Sequence, residues 1–270
     1  MPAGRIALIT GAYTGIGRVT AVELARRGVR VFLACRSAER ARPVIEEIGA
    51  AEWLPLELSD FASVRECARI FLEHDLPLHL LINNAGVAGA RGLTKSGFEW
   101  MFGVNHMGHF LLTQLLLDRL RRSAPARIVT VASRAHRRVD GIDWPAVREP
   151  TATLTAVREY CVSKLANVLF SAELGRRLAG SGVSTYSLHP GVVDSDIWRT
   201  LPRPLRALNR LRLISTEEGA RTTLHCAVSE AASVETGLYY SEGRPTPPST
   251  AGRSAAMAEE LWRRSEEALH

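Results

Sequence analysis

The run Arg5-Ile-Ala-Leu-Ile-Thr10 is short and apolar, and it breaks at Gly11-Ala-Tyr-Thr-Gly15-Ile-Gly17. Directly after it, Val19, Val22, Leu24 and Ala25 recur at helical spacing up to Arg27-Gly28. A short apolar run bounded by glycines reads as a parallel strand buried on both faces. Strand, glycine turn and helix in that order place the chain among α/β folds. The glycines let backbone approach a pyrophosphate, and the helix start offers unpaired N–H groups and the positive end of a dipole. The spacing is G-x-x-x-G-x-G rather than G-x-G-x-x-G, so an ordinary tight turn is the competing reading.

The same alternation continues. Strands are expected at Arg30–Cys35, Glu52–Leu58, Leu78–Ile82, Ala126–Val131, Val183–Leu188 and around Leu238–Tyr240. Between them, Asp60 is placed to cap a helix through Val64, Ala68, Phe71 and Leu72. Residues Phe98 to Leu120 are helix-periodic, and a helix carries Leu165, Val168, Leu169 and Leu174. Further helices begin at Thr216 and span about Met257 to Leu269. No internal repeat or dividing linker interrupts the chain, so residues 1–270 read as one domain. The proline- and arginine-bearing stretch at about 196–215 reads as a substrate lid or a surface excursion. In an open α/β sheet the carboxyl ends of the strands form the ligand crevice. That rule brings Asn83-Asn84-Ala85-Gly86, Ser133 and His189-Pro190-Gly191 to one edge.

Composition removes several function classes. The net charge is +6, but the arginines are scattered along helices, the pattern of a solvated face, which argues against nucleic-acid binding. Cys35, Cys67, Cys161 and Cys226 show no C-x-x-C, so neither a zinc site nor a disulfide framework is expected, and reduced thiols in a cytoplasmic protein are. His106 and His109 have no acid or cysteine beside them, so packing or surface positions are expected and no metal. The first strand begins within five residues of Met1, and no apolar stretch approaches the length of a bilayer span. Neither a signal peptide nor a membrane anchor is therefore expected.

Two places carry candidate chemistry. Tyr160 and Lys164 stand at i and i+4, on one helix face. Proton transfer at neutral pH requires the phenol to fall by ~3 pKa units, or ~4 kcal/mol, and a cation ~4 Å away at an effective dielectric of ~20 supplies about that much. Of 34 basic residues only Lys95 and Lys164 are lysines, and lysine, unlike arginine, is readily tuned. A helix-surface pair remains the bland alternative. The second place is the end of the second strand, Cys35-Arg36-Ser37, with Arg40 behind it and no acid. An acid there would bind a ribose 2′-hydroxyl, whereas an arginine accommodates a 2′-phosphate. NADP(H) is therefore preferred, with NAD(H) left open.

Taken in order, these motifs resemble those of the short-chain dehydrogenase/reductases, most of all the retinol dehydrogenase-like branch. Thr10-Gly-Ala-Tyr-Thr-Gly-Ile-Gly17 is similar to the family's glycine motif, Asn83-Asn-Ala-Gly86 to its fourth-strand motif, and Tyr160-x-x-x-Lys164 to its catalytic pair. Val104-Asn105-His-Met-Gly-His109 resembles the stretch that holds a catalytic asparagine. Pro190-Gly-Val-Val-Asp-Ser195 resembles the segment at the nicotinamide carboxamide. The resemblance implies a single-domain, doubly wound Rossmann fold with seven parallel strands and helices on both faces. Tyr160 would be the acid/base, Lys164 would bind the nicotinamide ribose, Ser133 would hold the carbonyl oxygen and Asn105 would anchor a water. Gly11, Thr14, Gly15, Ile16, Gly17, Arg36, Ser37, Glu57, Leu58, Asn84, Ala85, Gly86, Pro190, Gly191, Val193 and Ser195 would contact the cofactor, with Tyr160 and Lys164.

Some positions depart from the pattern. Tyr13 stands where this branch usually has asparagine, Glu57 where an aspartate commonly meets the adenine, and Ser195 where a threonine is usual. The Ser133–Tyr160 interval is long, as in this branch, and with Trp144 it is expected to shape the substrate pocket. The implied function is an NADP(H)-dependent interconversion of carbonyl and alcohol on an apolar or aromatic small molecule. A non-catalytic NADP(H) sensor on the same fold is the alternative, and an epimerase or dehydratase of the longer relatives fits less well. Family pairing through the two long helices implies a homodimer or homotetramer.

Overall fold

A computed structural model describes residues 4–191 and 214–269. Its sheet is built from β1 (Ile6–Thr10), β2 (Arg30–Cys35), β3 (Glu52–Pro55), β4 (Leu80–Asn83), β5 (Ala126–Val131), β6 (Val183–His189), β7 (Leu238–Ser241) and β8 (Arg244–Pro245). The spatial order is β3-β2-β1-β4-β5-β6-β7-β8. The first seven strands pair in parallel, as expected, and β8 adds an eighth, antiparallel strand at the edge. β8 has two residues, too few to show any periodicity in sequence. β3 is shorter than expected because the chain turns away at Glu57, whose N–H goes to Ser63 Oγ at 2.9 Å instead of to a strand. The order reverses between β1 and β4, which opens the crevice at the carboxyl ends of those strands.

Helices cover both faces. On one side lie α1 (Gly15–Arg26), α2 (Ala38–Ile48) and α7 (Thr216–Val228). They close a core around Ile9, Leu24, Leu33, Ile82 and Tyr186. On the other lie α3 (Phe61–Glu73), α4 (Trp100–Phe102), α5 (Gly108–Arg122), α6 (Val157–Arg177) and α8 (Ala255–Glu267). Their core contains Leu8, Phe71, Phe110, Leu165 and Phe170. Asp60 caps α3 by accepting the Ala62 N–H at 3.0 Å, as its position implied. α7 begins with a full capping box between Ser215 and Glu218. α2 buries Ala41 and Val44 in this first core, with Ile45 and Ile48 packed against it, and carries Pro43 within the helix.

α4 and α5 are joined by a π-helical turn, Gly103–Met107. Gly108 follows because the backbone there presses on the third-strand loop. A Cβ at Gly108 would lie 2.5 Å from the Leu58 carbonyl oxygen. The Asn105 side chain holds the turn in place. Its Oδ1 accepts the Val87 N–H at 2.8 Å, and its Nδ2 donates to Val87 O at 3.0 Å and Ser163 Oγ at 2.9 Å. π turns of this kind commonly mark functional sites.

The outer face of α5 and α6, where the resemblance implied pairing of two copies, carries α8 of the same chain. Trp262 packs edge-on to Phe110 at 5.1 Å and stacks on Phe170 at 6.0 Å, and Ser265 meets His106 Nε2 at 3.1 Å. Trp262 is buried, far from the crevice. Truncating a buried tryptophan removes both its transfer energy and its packing partners. Trp262→Ala is expected to cost about 3–5 kcal/mol in urea unfolding; a loss below ~1 kcal/mol would show that α8 is not packed in this way.

Candidate active site

A cleft of about 680 Å³ runs along the carboxyl ends of β1, β2, β4, β5 and β6. Gly11, Thr14, Gly15, Ile16 and Gly17 form its floor. Gly17 is the tightest point: a Cβ there would lie 2.5 Å from Asn84 Nδ2 and 2.6 Å from Gly11 O. That clash-free closeness lets the start of α1 sit against the turn. Thr14, at the N-cap of α1, makes no side-chain cap bond, so the first N–H groups of the helix have no side-chain acceptor. A turn pressed against an open helix start fits the pyrophosphate of a dinucleotide.

Arg36, Glu57 and Leu58 line the far end of the cleft, at the tips of β2 and β3. Arg36 Nη1 lies 3.7 Å from Glu57 Oε2, and Glu57 Oε1 accepts the Ser59 N–H at 3.1 Å. Behind them Arg40 stacks over the Tyr13 ring at 5.2 Å. Tyr13, which lines the cleft, holds the Arg40 guanidinium, whose Nη1 donates to the Tyr13 hydroxyl at 3.4 Å. Ser37 does not line the cleft. Its Oγ accepts the Arg40 N–H at 3.2 Å and caps α2, a role its position just before an unforeseen helix explains. Val193, Ser195 and nearly all of the lid at about 196–215 lie outside the described residues.

At the other end Ser133, Tyr160 and Lys164 meet, with Pro190 and Gly191 on the wall beside them. Ser133 follows β5, Tyr160 and Lys164 lie on the first turns of α6, and Ser133 hydrogen-bonds with the Tyr160 side chain. Lys164 is buried, donates from Nζ to Val131 O at 2.9 Å and lies 5.8 Å from the Tyr160 ring centre. The electrostatics differ from the expectation. Burial pushes the Tyr160 phenol up to about 12, against a smaller lowering by Ser133, although its ring is partly exposed. Burial also pulls the Lys164 ammonium down to about 8. In the protein alone, desolvation outweighs the attraction between ammonium and phenolate.

Asn105 is not on the cleft wall. It lies one layer behind, with no surface exposed, and its Ser163 partner donates in turn to the Tyr160 carbonyl at 2.8 Å. Asn84, on the cleft wall, donates from Nδ2 to Thr10 O at 2.9 Å. Ala85 and Gly86 complete that wall.

Two histidines brace the site. His109 Nδ1 meets the Asn105 carbonyl at 3.1 Å, so that nitrogen carries the proton. Its Nε2 then accepts from the Thr10 hydroxyl at 2.8 Å. Burial lowers His109 to about 4, which keeps it neutral. His136 Nδ1 donates to Ser133 O at 2.6 Å, and its Nε2 accepts the Ser249 N–H at 3.1 Å. His136 therefore ties the loop after β5 to the turn after β8. Neither role is visible in sequence, because each partner is far along the chain. The only local signal is a histidine placed three or four residues after Ser133 or Asn105.

The short chain dehydrogenase family model matches residues 5–205. Retinol dehydrogenase 11 of Homo sapiens is 44% identical over 270 residues, which cover 96% of this chain and 84% of that protein. A solved structure of a Mycobacterium Paratuberculosis protein is 35% identical, covers 98% of this chain and 93% of its own, and superposes with a TM-score of 0.81. The Pseudomonas aeruginosa RhlG/NADP active-site complex is 29% identical with a TM-score of 0.71, over 88% of this chain and 94% of that one. With the cleft, the strand order and these likenesses in agreement, the chain belongs to the short-chain dehydrogenases, as an oxidoreductase of their retinol dehydrogenase-like branch acting on alcohols or carbonyls.

Proposed function

We propose that this protein interconverts a carbonyl and an alcohol on an apolar small molecule, using NADP(H). The observation that carries the reading is the meeting of Ser133, Tyr160 and Lys164 at one end of a cleft whose other end holds Arg36. Gly11 to Gly17, Arg36, Glu57, Leu58, Asn84 to Gly86, Pro190 and Gly191 would hold the dinucleotide, which supplies the hydride when bound. As the carbonyl carbon is reduced, negative charge grows on its oxygen. Ser133 donates a hydrogen bond to that oxygen and Tyr160 delivers the proton. Lys164 contributes positive charge behind the phenol. Asn105, through Ser163, sets the height of the turn that carries Tyr160.

A phenol pushed up to about 12 is protonated at neutral pH, the form that carbonyl reduction requires. Alcohol oxidation requires the phenolate. Its kcat/KM is therefore expected to rise from neutral to alkaline pH while reduction does not rise. An oxidation rate that falls over that range would contradict the assignment. Tyr160→Phe removes the proton and is expected to lower kcat by about 10²–10⁴-fold, the usual worth of a positioned acid. Unchanged turnover would favour the non-catalytic sensor reading.

The preference for NADP(H) rests on Arg36, backed by the Arg40–Tyr13 stack. A 2′-phosphate would compete with Glu57 for Arg36 and draw on both guanidiniums. Arg36→Ala is expected to weaken kcat/KM for NADPH about tenfold or more, equivalent to about 1.4 kcal/mol. The same change should alter NADH use far less. Equal losses with both cofactors would remove the basis for the preference.

A further inference from the structure

The two ends of the cleft differ in charge. Glu57 is the only carboxylate among the described lining residues, and it stands at the β2–β3 end beside Arg36. The sheet runs the other way through β5, β6 and β7. There the 3₁₀ turn Arg134–Arg138 follows Ser133 directly and places Arg134, Arg137 and Arg138 on the cleft wall. With three residues per turn, Arg134 and Arg137 leave the turn on the same side. All three are exposed, and no described carboxylate forms an ion pair with them. Arg137 also donates to the Pro247 carbonyl, which restrains its guanidinium. Asp140 and Asp143 line a neighbouring groove of about 650 Å³, which shares Arg138 with the cleft. Trp100, Val104 and Val157 supply apolar wall to the same cleft.

We propose that the arginine end binds an oxyanion carried by the substrate itself. The substrate class is an aldehyde or ketone, or the matching alcohol, with an apolar body and a carboxylate or phosphate remote from the reacting carbon. This rests on the reading of Ser133 and Tyr160 as the reacting end. Guanidinium groups present paired N–H donors to such oxyanions, and a cleft lined by one sign of charge raises the local concentration of the opposite sign. A neutral apolar substrate gains nothing from three cations beside its path.

The test compares kcat/KM for 9-oxononanoate with its methyl ester, and for 8-oxooctyl phosphate with its dimethyl ester. At low salt each anion is expected to exceed its ester about tenfold or more, the sum of several partly exposed charge contacts. The ratio is expected to shrink at high salt and to approach one in the Arg134→Gln/Arg138→Gln double variant. Comparison of the two pairs assigns the anion as carboxylate or phosphate. A ratio near one for both pairs in the unaltered protein overturns the proposal. So does a ratio that survives both in the double variant and in a triple variant adding Arg137→Gln. Turnover of neither anion nor ester sinks the carbonyl–alcohol reading on which the proposal stands, and the proposal with it.

Discussion

The hydroxyl of Thr10 is where the strand tips, the fourth-strand turn and the π turn are tied together. It accepts the N–H groups of Asn84 and Ala85, each at 2.9 Å, and donates to His109 Nε2 at 2.8 Å. Both of its acceptor positions are taken by those N–H groups, and its single proton is shared between His109 Nε2 and the Ile82 carbonyl, which is farther away at 3.4 Å. This also fixes the direction of the chain of bonds. The Asn105 carbonyl requires the proton on His109 Nδ1, which requires an acceptor at Nε2, which requires Thr10 to donate. A protonated His109 would break this order, and burial keeps it neutral. Because buried polar groups are costly unless paired, the network holds the cleft floor in one geometry.

A similar logic places Ser133. Its carbonyl is gripped by His136, whose other nitrogen accepts from Ser249, so the loop after β5 cannot move independently of the turn after β8. Lys164 and Tyr160 are set on α6 by packing and by the bond from Lys164 to Val131 O. Burial there raises the phenol to about 12 and lowers the ammonium to about 8, so at neutral pH the phenol is neutral and Lys164 is still mostly charged. Burial thus favours the protonated phenol, the form that donates to a carbonyl oxygen. Lys164 is held in place by its bond to the Val131 carbonyl and keeps its positive charge beside the Tyr160 ring.

Much of this was readable in the residues. β2 and β5 stand where alternation and composition put them, and Asp60 caps α3. Those features depend on neighbours in sequence. The glycine turn was legible because only glycine tolerates the approach at Gly17. What escaped notice depended on distant partners, on short elements or on a helix with a proline inside it. α2 buries only two side chains, and β8 consists of two residues. Ser37 caps α2, a helix whose start was not read from sequence. The spacing of Tyr160 and Lys164 gave their proximity, but it could not show their burial, which raises the phenol and lowers the ammonium.

The most direct measurement is the titration of Tyr160, followed by tyrosine-selective carbon-13 NMR with Tyr160→Phe to assign the signal. The account predicts that the phenol stays protonated well above the usual tyrosine range in the protein alone, near 12, and titrates at markedly lower pH once NADP⁺ is bound. A phenol that already ionises at or below its ordinary value without NADP⁺, or one that does not move when NADP⁺ binds, would contradict it.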